Sequence, residues 1–242
     1  MCAAVRQGVA APHAGTARLA ERLRTARPHP VQPTPMATSD NLPHLVSDAP
    51  LAGLSCTIAC GMSGLIRLTA DYLEAAGARC APHAPLRLLI DAPPTFAYRQ
   101  LEQTQPPPIP TIAVTTNTCP EYIDDLWELR PAIVIVGDDV QQDVIEAVWR
   151  VSRGEQYCMS PRGARLPPGD RAVLRSVAHG WEYGEIAGQL GLAERTVRNR
   201  VSAIYRTLRL TNRSELTLYY LGLLRLRAER PGVRAAGVTD VS

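Results

Sequence analysis

The strongest constraint on this 242-residue chain is a pattern of two amphipathic helices near its C-terminal end. Residues 180–208 read GWEYGEIAGQLGLAERTVRNRVSAIYRTL. Apolar residues at helical spacing precede Gly191, which interrupts the first helix, and positions 197, 201, 204 and 208 form the apolar stripe of a second. The sequence therefore predicts two helices joined by a tight turn.

The polar face of the second helix is strongly basic. Arginine and asparagine side chains can donate hydrogen bonds to phosphate oxygens and base edges, and the second helix of such a motif enters the major groove of DNA. Only Glu194 adds a carboxylate, whereas an ordinary surface helix mixes acids with its bases. We expect this helix to read double-stranded DNA, the alternative being a helical hairpin with a solvated face. The side chains concerned are Arg195, Thr196, Arg198, Asn199 and Arg200.

Residues 166–224 resemble the C-terminal effector domain of LuxR-type (NarL/FixJ) regulators. The motifs that carry the resemblance are Val173-Leu174, Val177-Ala178-His179-Gly180, Glu185-Ile186-Ala187, Thr196-Val197-Arg198 and Asn212-Arg213-Ser214-Glu215-Leu216. The resemblance implies an all-α, four-helix DNA-binding domain. Arg198 and Arg200 are expected at base edges, Asn212 and Arg213 at the backbone, and Arg206 also at the DNA.

Several positions depart from that family's pattern. Pro167 replaces a threonine that often caps the first helix, and Glu182, Tyr183 and Gly184 replace a Ser-Asn-Lys run before the second. Hydroxyl caps satisfy free backbone amides and can also contact phosphate. Arginine at 198 and 200 replaces lysine and histidine and adds a fork suited to guanine. We therefore expect altered phosphate contacts and base preference.

A fourth helix, predicted over 214–226, carries a broad apolar face. In the LuxR-type family the corresponding helix mediates dimerisation on DNA, which implies a homodimer here. The alternative is that this face closes the four-helix core. The residues expected at the dimer interface are Leu216, Tyr219, Tyr220 and Leu223.

Charge divides the chain into two parts. Residues 162–230 carry 13 Arg against 6 Asp and Glu, while residues 37–161 carry 7 Arg against 15 acids. The C-terminal part is thus the expected polyanion binder.

No apolar run is long enough to span a bilayer, which predicts a cytoplasmic, nucleoid-associated bacterial protein. The six cysteines form no CxxC pair, so neither metal nor cofactor is expected.

From Leu54 onward, short apolar runs alternate with amphipathic helices. This pattern predicts a parallel sheet covered on both faces, which is a doubly wound, flavodoxin-like α/β domain. The predicted strands are 54–60, 79–81, 86–90, 111–115 and 132–136. The predicted helices are 62–76, 95–103, 120–129 and 140–153.

This half resembles the receiver domain of response regulators. The matching runs are 88–91, 110–115, Glu121-Tyr122, 145–148 and 154–157. The resemblance implies that Asp91 stands at the phosphorylated aspartate and Thr115 at the switch hydroxyl. Cys60-Gly61 replaces the acidic pair, however, and Gly137 replaces the lysine. Because phosphorylation needs a metal held by carboxylates and a steadying cation, Asp91 is predicted to be a vestigial phosphoacceptor.

Two other features of this half leave alternatives open. Only a few residues separate His83 from Leu86, too few for a crossover helix, so the second receiver helix is predicted to be absent. Asp138 or Asp139 could supply an improvised metal site beside Asp91. The turn at 61–64 could hold a small ligand at a helix N-terminus.

These inferences define an atypical response regulator with five segments. They are a disordered extension (1–50, with Met36 a candidate start), a receiver-like domain (51–158), a linker (159–169), a helix-turn-helix domain (170–228) and a disordered tail (229–242). The predicted function is sequence-specific, phosphorylation-independent regulation of transcription by a dimer on a palindromic operator, without enzymatic activity. RNA polymerase, a regulatory protein or a small ligand are further possible partners. The alternatives are a ligand-sensing regulator and an adaptor that no longer binds DNA.

Overall fold

Six parallel strands form one sheet in the N-terminal half of the computed structural model, which describes residues 49–138, 140–158 and 163–224. The order is β2-β1-β3-β4-β5-β6, and each neighbouring pair is parallel. The first five strands follow the 2-1-3-4-5 order of flavodoxin-like folds, which confirms the predicted fold class. The strands are β1 (Ser55–Ala59), β2 (Arg79–Cys80), β3 (Arg87–Ile90), β4 (Thr111–Thr115), β5 (Ile133–Val136) and β6 (Tyr157–Cys158).

Helices cover the sheet on both faces. They are α1 (Ser63–Ala75), α2 (Phe96–Gln103), α3 (Pro120–Glu128) and α4 (Gln141–Ser152). Successive strand residues point to opposite faces, so Leu88 joins an apolar cluster with α1 and α4, while Leu89 joins another with α2 and α3. The predicted bounds of these elements differ from the observed ones by at most one residue, but the sequence pattern does not predict β6.

The connection from β2 to β3 contains no helix, as the short spacing predicts. Residues 81–86 form only turns and bends, and β1 lies between the two strands. Ser55 and Thr57 on β1 are only half-buried, whereas every residue of β4 is buried. The side of the sheet that contains β1 is therefore less covered than β4 at its centre.

Four helices form the C-terminal half of the described chain. They are α5 (Pro168–Ala178), α6 (Tyr183–Leu190), α7 (Glu194–Leu208) and α8 (Arg213–Tyr220). Gly191 ends α6 with a positive φ of 64°, as its place in the sequence suggests. The predicted bounds of α8, 214–226, were too long. Gly222 takes a φ of +75°, and the amides of Gly222 and Leu223 bond back to Tyr219 and Leu218, which closes the helix.

The two halves share a continuous apolar cluster. Leu126 of α3 belongs to the same cluster as Val173 of α5 and Tyr220 of α8. Leu166, which the sequence places in the linker 159–169, is also buried there. The sequence does not predict these contacts, because a pattern within each half carries no information on how the halves pack.

The predicted extension and tail fall almost wholly outside the described residues, which begin at Ala49 and end at Leu224. None of the helices described in the chain is long and apolar enough to cross a membrane.

Candidate nucleic-acid interface

The outer face of α7 presents a row of polar side chains to solvent. Its inner residues, Val197, Val201, Ile204 and Leu208, are buried. Helical geometry places Arg195, Asn199 and Arg206 on the opposite side, and all three are exposed. No described residue forms a hydrogen bond or ion pair with these three side chains, so their donors are available to a ligand.

Thr196 and Arg195 lie in the first turn of α7. The N-cap is Ala193, which has no side chain able to cap the helix. The amide of Thr196 donates to the carbonyl of Ala193 at 2.8 Å, and its side chain is half-buried. A helix N-terminus carries partial positive charge, and Arg195 adds a full charge beside it. Glu194, in the same turn, offsets part of this positive charge and is itself paired with Arg198.

Arg198 is exposed but has a partner on its own helix. Its Nε donates to Glu194 Oε1 at 3.1 Å, and its guanidinium lies 5.2 Å from the ring centroid of Tyr183. The side chains of this pair are 61% and 48% exposed. Exposed pairs of this kind contribute about 0.3–0.5 kcal/mol, so DNA can displace Glu194 at little cost.

Arg200 faces α5 rather than the outer face of α7. Its Nη1 lies 3.5 Å from Asp170 Oδ1, and it packs so closely on Gly169 that a Cβ there would lie 2.6 Å from Nη1. The side chain is half-buried. Arg200 thus contacts α5 in this structure, and its expected place at base edges stays a prediction.

Asn212 and Arg213 organise the start of α8. Asn212 Oδ1 caps the helix by accepting the Glu215 amide at 2.9 Å. Arg213 Nη2 donates to the Trp181 carbonyl at 2.5 Å, and its Nη1 lies 3.6 Å from Glu182. Asn212 is exposed, whereas the half-buried Arg213 connects α8 to the turn before α6.

Glu182 replaces the hydroxyl cap of α6 with a carboxylate. The Glu182 side chain accepts from the amide of Glu185, and the Glu185 side chain accepts from the amide of Glu182 at 2.8 Å. This reciprocal arrangement satisfies two free amides. A carboxylate repels phosphate, however, so the predicted change in phosphate contact at this position has a physical basis.

The residues predicted to form a dimer interface are mostly covered within the chain. Leu216 and Tyr220 are 0% exposed and Tyr219 is 4% exposed, whereas Leu223 is 66% exposed. The first three pack in the cluster shared with α3. In this conformation they are not free to contact a second copy, because Leu216 is buried and the receiver-like half bonds to Tyr219 and Tyr220. The alternative, that this face closes a core, describes them better.

Asp91 is closed in by hydrogen-bond donors. Its Oδ1 accepts the Ala97 amide at 2.9 Å, and its Oδ2 accepts the hydroxyls of Thr115 at 2.8 Å and Tyr122 at 2.7 Å. The residue is only 8% exposed. Burial raises the pKa of the Asp91 carboxyl, although the hydrogen bonds oppose that rise. The carboxylate thus caps α2, as a strand-end aspartate commonly does, and its oxygens are occupied.

Gly61, in the turn beside Asp91, packs closely against the segment that follows β3. The Gly61 amide donates to the Ala92 carbonyl at 2.8 Å, and a Cβ at Gly61 would lie 2.6 Å from Pro93. Asp138 is exposed, and Asp139 lies outside the described residues. Within the described ranges, no three His, Cys, Asp or Glu side chains are grouped to hold a metal ion.

A buried charge cluster joins α3 to the helices of the C-terminal half. Asp125 accepts hydrogen bonds from Arg171 at 3.0 Å, Arg175 at 2.7 Å and the Tyr220 hydroxyl at 2.7 Å. Burial by itself would lower the pKa of Arg175, but Asp125 together with the nearby Tyr98 and Tyr220 raises that pKa above its ordinary value. The sequence patterns do not predict this cluster. Its only signal was a carboxylate at an inward position of an amphipathic helix.

Glu121 makes a second set of contacts across the boundary. Its Oε1 accepts the Arg165 amide at 2.9 Å, and its Oε2 accepts the Tyr219 hydroxyl. Glu121 is fully buried. α3 therefore holds the C-terminal half through two carboxylates one helical turn apart.

The family model for bacterial regulatory proteins of the luxR family matches residues 165–220. A probable HTH-type transcriptional regulator, GfsR of Streptomyces halstedii, is 42% identical over 57 residues, which are 24% of this chain and 24% of that protein. The match thus spans about a quarter of the length of that curated relative.

Two solved structures align with about 70% of this chain at low identity. RcsB from Salmonella enterica serovar Typhimurium, bound to a promoter in the presence of phosphomimetic BeF3−, is 16% identical with a TM-score of 0.49 over 71% of this chain and 99% of that chain. The response regulator ChrA of a heme-sensing two-component system is 16% identical with a TM-score of 0.37, over 70% and 96% of the two chains.

The geometry and the family match agree on the C-terminal half. Four helices surround one core, and the third carries an exposed basic face. Residues 165–220 therefore match the luxR family of bacterial regulatory proteins in sequence, and they fold as a four-helix domain.

Proposed function

We propose that this protein is a sequence-specific DNA-binding regulator of transcription whose α7 enters the major groove. One observation carries the proposal: Arg195, Asn199 and Arg206 lie in an exposed row with no described partner, on the third helix of a luxR-family domain. Asparagine can pair bidentately with adenine, and arginine with guanine or phosphate. The protein acts by binding and carries out no chemistry on the DNA.

Some polar side chains of α7 contact DNA, whereas others hold the helix in position. Arg195 and Asn199 lie in its N-terminal half, where recognition helices contact bases. Arg198 joins them once Glu194 is displaced, and Arg206 contacts the phosphate backbone. Arg200 stabilises the position of α7 by holding it against α5.

The regulator binds a palindromic operator as a homodimer. Leu218 and Leu223, which are 41% and 66% exposed, support this part of the proposal because they are the large exposed apolar side chains described in the C-terminal half. Two copies double the number of contacts to DNA, and a two-fold axis places two half-sites about one helical turn apart.

Control of this regulator does not depend on phosphorylation of Asp91. Both oxygens of Asp91 are already bonded, no carboxylate stands at Cys60-Gly61, and no cation stands at Gly137. Pro93 packs against Gly61, which leaves no space for a ligand directly beside that residue.

Selection of DNA from a random pool, followed by affinity measurements on variants, tests the reading role. Asn199→Ala should weaken the selected site by ~1–3 kcal/mol and scrambled DNA much less, because it removes a base contact. Arg200→Ala should weaken both DNAs alike. Arg67→Ala, which removes an exposed arginine from α1, is the control and should change neither. Equal losses on both DNAs for Asn199→Ala would refute the assignment of Asn199 as a reader.

A further inference from the structure

Asp91 is connected to α8 of the C-terminal half by an unbroken series of contacts. The first route runs along the loop after β4. Thr115 Oγ1 donates to Asp91 and accepts the amide of Asn117 at 3.1 Å, and Asn117 Nδ2 donates to the Tyr220 carbonyl at 2.9 Å. Each polar atom in this route is buried and bonded, so the loop has one defined position.

The second route passes through an aromatic pair. The Tyr122 hydroxyl donates to Asp91, and the Tyr122 ring meets the Tyr220 ring edge to face, with centroids 5.5 Å apart at 90°. Tyr220 in turn donates to Asp125. Burial, followed by the nearby Asp91 charge, raises the pKa of Tyr122 well above its ordinary value, so this hydroxyl stays protonated as a donor.

The two routes meet at the C-terminal end of α8. Besides its bond to Tyr220, Asn117 lies directly beneath Gly222, where a Cβ would stand 2.4 Å from Asn117 Oδ1. Asn117 Oδ1 itself accepts the amide of Cys119 at 2.9 Å, which fixes the side chain against rotation. The last turn of α8 therefore rests on a surface whose shape depends on Thr115, Asn117 and Tyr122.

We infer that Asp91 is a positioning residue for the C-terminal half, holding α8 on α3 through Thr115, Asn117 and Tyr122. The carboxylate that the receiver resemblance assigns to phosphorylation acts here as a fixed acceptor, and the placement of α8 follows from its hydrogen bonds. This role goes beyond DNA binding and does not depend on it. Displacement of either donor from Asp91 loosens α8 while leaving α5 to α7 in place.

Hydrogen–deuterium exchange of the full chain, measured by mass spectrometry, tests this inference without DNA. In Tyr122→Phe the ring pair remains and only the hydroxyl is lost, and in Asn117→Ala the bond to Tyr220 is lost. Each variant should speed exchange of residues 213–220 about fivefold, the equivalent of roughly 1 kcal/mol for one buried hydrogen bond. Exchange of residues 197–208 should stay unchanged.

Asp91→Asn separates a positioning role from simple capping of α2. The inference predicts faster exchange both at the start of α2 and in residues 213–220. Faster exchange confined to α2 would overturn it, as would uniform acceleration in both halves. Asp71→Asn, an exposed carboxylate on α1, is the matched control and should behave as the wild type.

A double variant keeps the test decisive if Asp91→Asn fails to fold. Tyr122→Phe and Asn117→Ala remove different links of the network and retain the carboxylate. If both act through Asp91 and Tyr220, the double variant should speed exchange of residues 213–220 by a factor different from the product of the single factors. Independent, multiplying factors would contradict a shared network.

Discussion

At the scale of single residues, side chains of one type perform different tasks because their partners differ. The sequence predicts a basic helix but treats Arg198 and Arg200 as equivalent readers. Asp170, thirty positions earlier in the chain, draws Arg200 toward α5, whereas Arg195 and Arg206 meet no described partner. Helical periodicity identifies the buried residues of α7 reliably. It does not identify an ion pair formed with another helix.

The buried carboxylate of Asp125 gives a prediction at this scale. Asp125→Ala should lower the free energy of unfolding by about 3–5 kcal/mol, because Arg175 would remain as a buried charge without a carboxylate and Arg171 would keep only Glu128. Glu128→Gln is the matched control: Glu128 also contacts Arg171, but its side chain is 52% exposed, so the loss should stay within about 1 kcal/mol. Urea denaturation followed by circular dichroism measures both. Similar losses for the two variants would show that burial does not set the strength of these pairs.

At the scale of elements, α8 illustrates two properties of a helix that its sequence pattern does not predict: where it ends and what its apolar face packs against. Apolar residues continue through Leu223 and Leu224, so periodicity predicts a longer helix, but Gly222 reverses the backbone. Periodicity also cannot distinguish a dimer face from a face that packs within the chain. Both need the same leucines and tyrosines at the same spacing. The distinction lies in Glu121 and Asp125 of α3, which bond to Tyr219 and Tyr220.

Gly222 supplies the prediction for this element. Gly154→Ala and Gly222→Ala both place an alanine at a positive φ, of +84° and +75°, but only the second also forces a Cβ against Asn117. Gly154→Ala should cost about 1–2 kcal/mol from backbone strain alone. Gly222→Ala should cost about 1–3 kcal/mol more, because the added carbon overpacks a buried contact. Thermal unfolding of both variants gives the comparison, and equal shifts would show that the end of α8 is not tightly held.

At the scale of the whole molecule, the fold of each half can be predicted from the sequence more accurately than the contacts between the two halves. Short apolar runs that alternate with helices predict a parallel sheet, and motifs in a fixed order predict a four-helix domain. Both patterns can be recognised because they are local in the sequence. The contacts between the halves join positions about a hundred residues apart, such as Asn117 and Tyr220, and they depend on single hydrogen bonds. No local pattern encodes such pairs.

The fragment 161–230 tests how far the halves are independent. Its own helices bury Val173, Ile186, Val197 and Ile204, so the fragment should remain helical by circular dichroism. It should melt at a lower temperature than the full chain, because Tyr219 and Tyr220 lose their partners on α3. A fragment without helical signal would show that the receiver-like half is part of the folding unit of this domain.

The central claim is that this chain distinguishes DNA sequences without being phosphorylated. The direct measurement is the ratio of its affinities for a selected operator and for scrambled DNA at one salt concentration, before and after treatment with a small phosphodonor and magnesium. We predict a ratio of at least ~10³, unchanged by the treatment, and no added phosphate in the mass of the protein. A ratio near one that rises only when Asp91 gains a phosphoryl group would contradict this account.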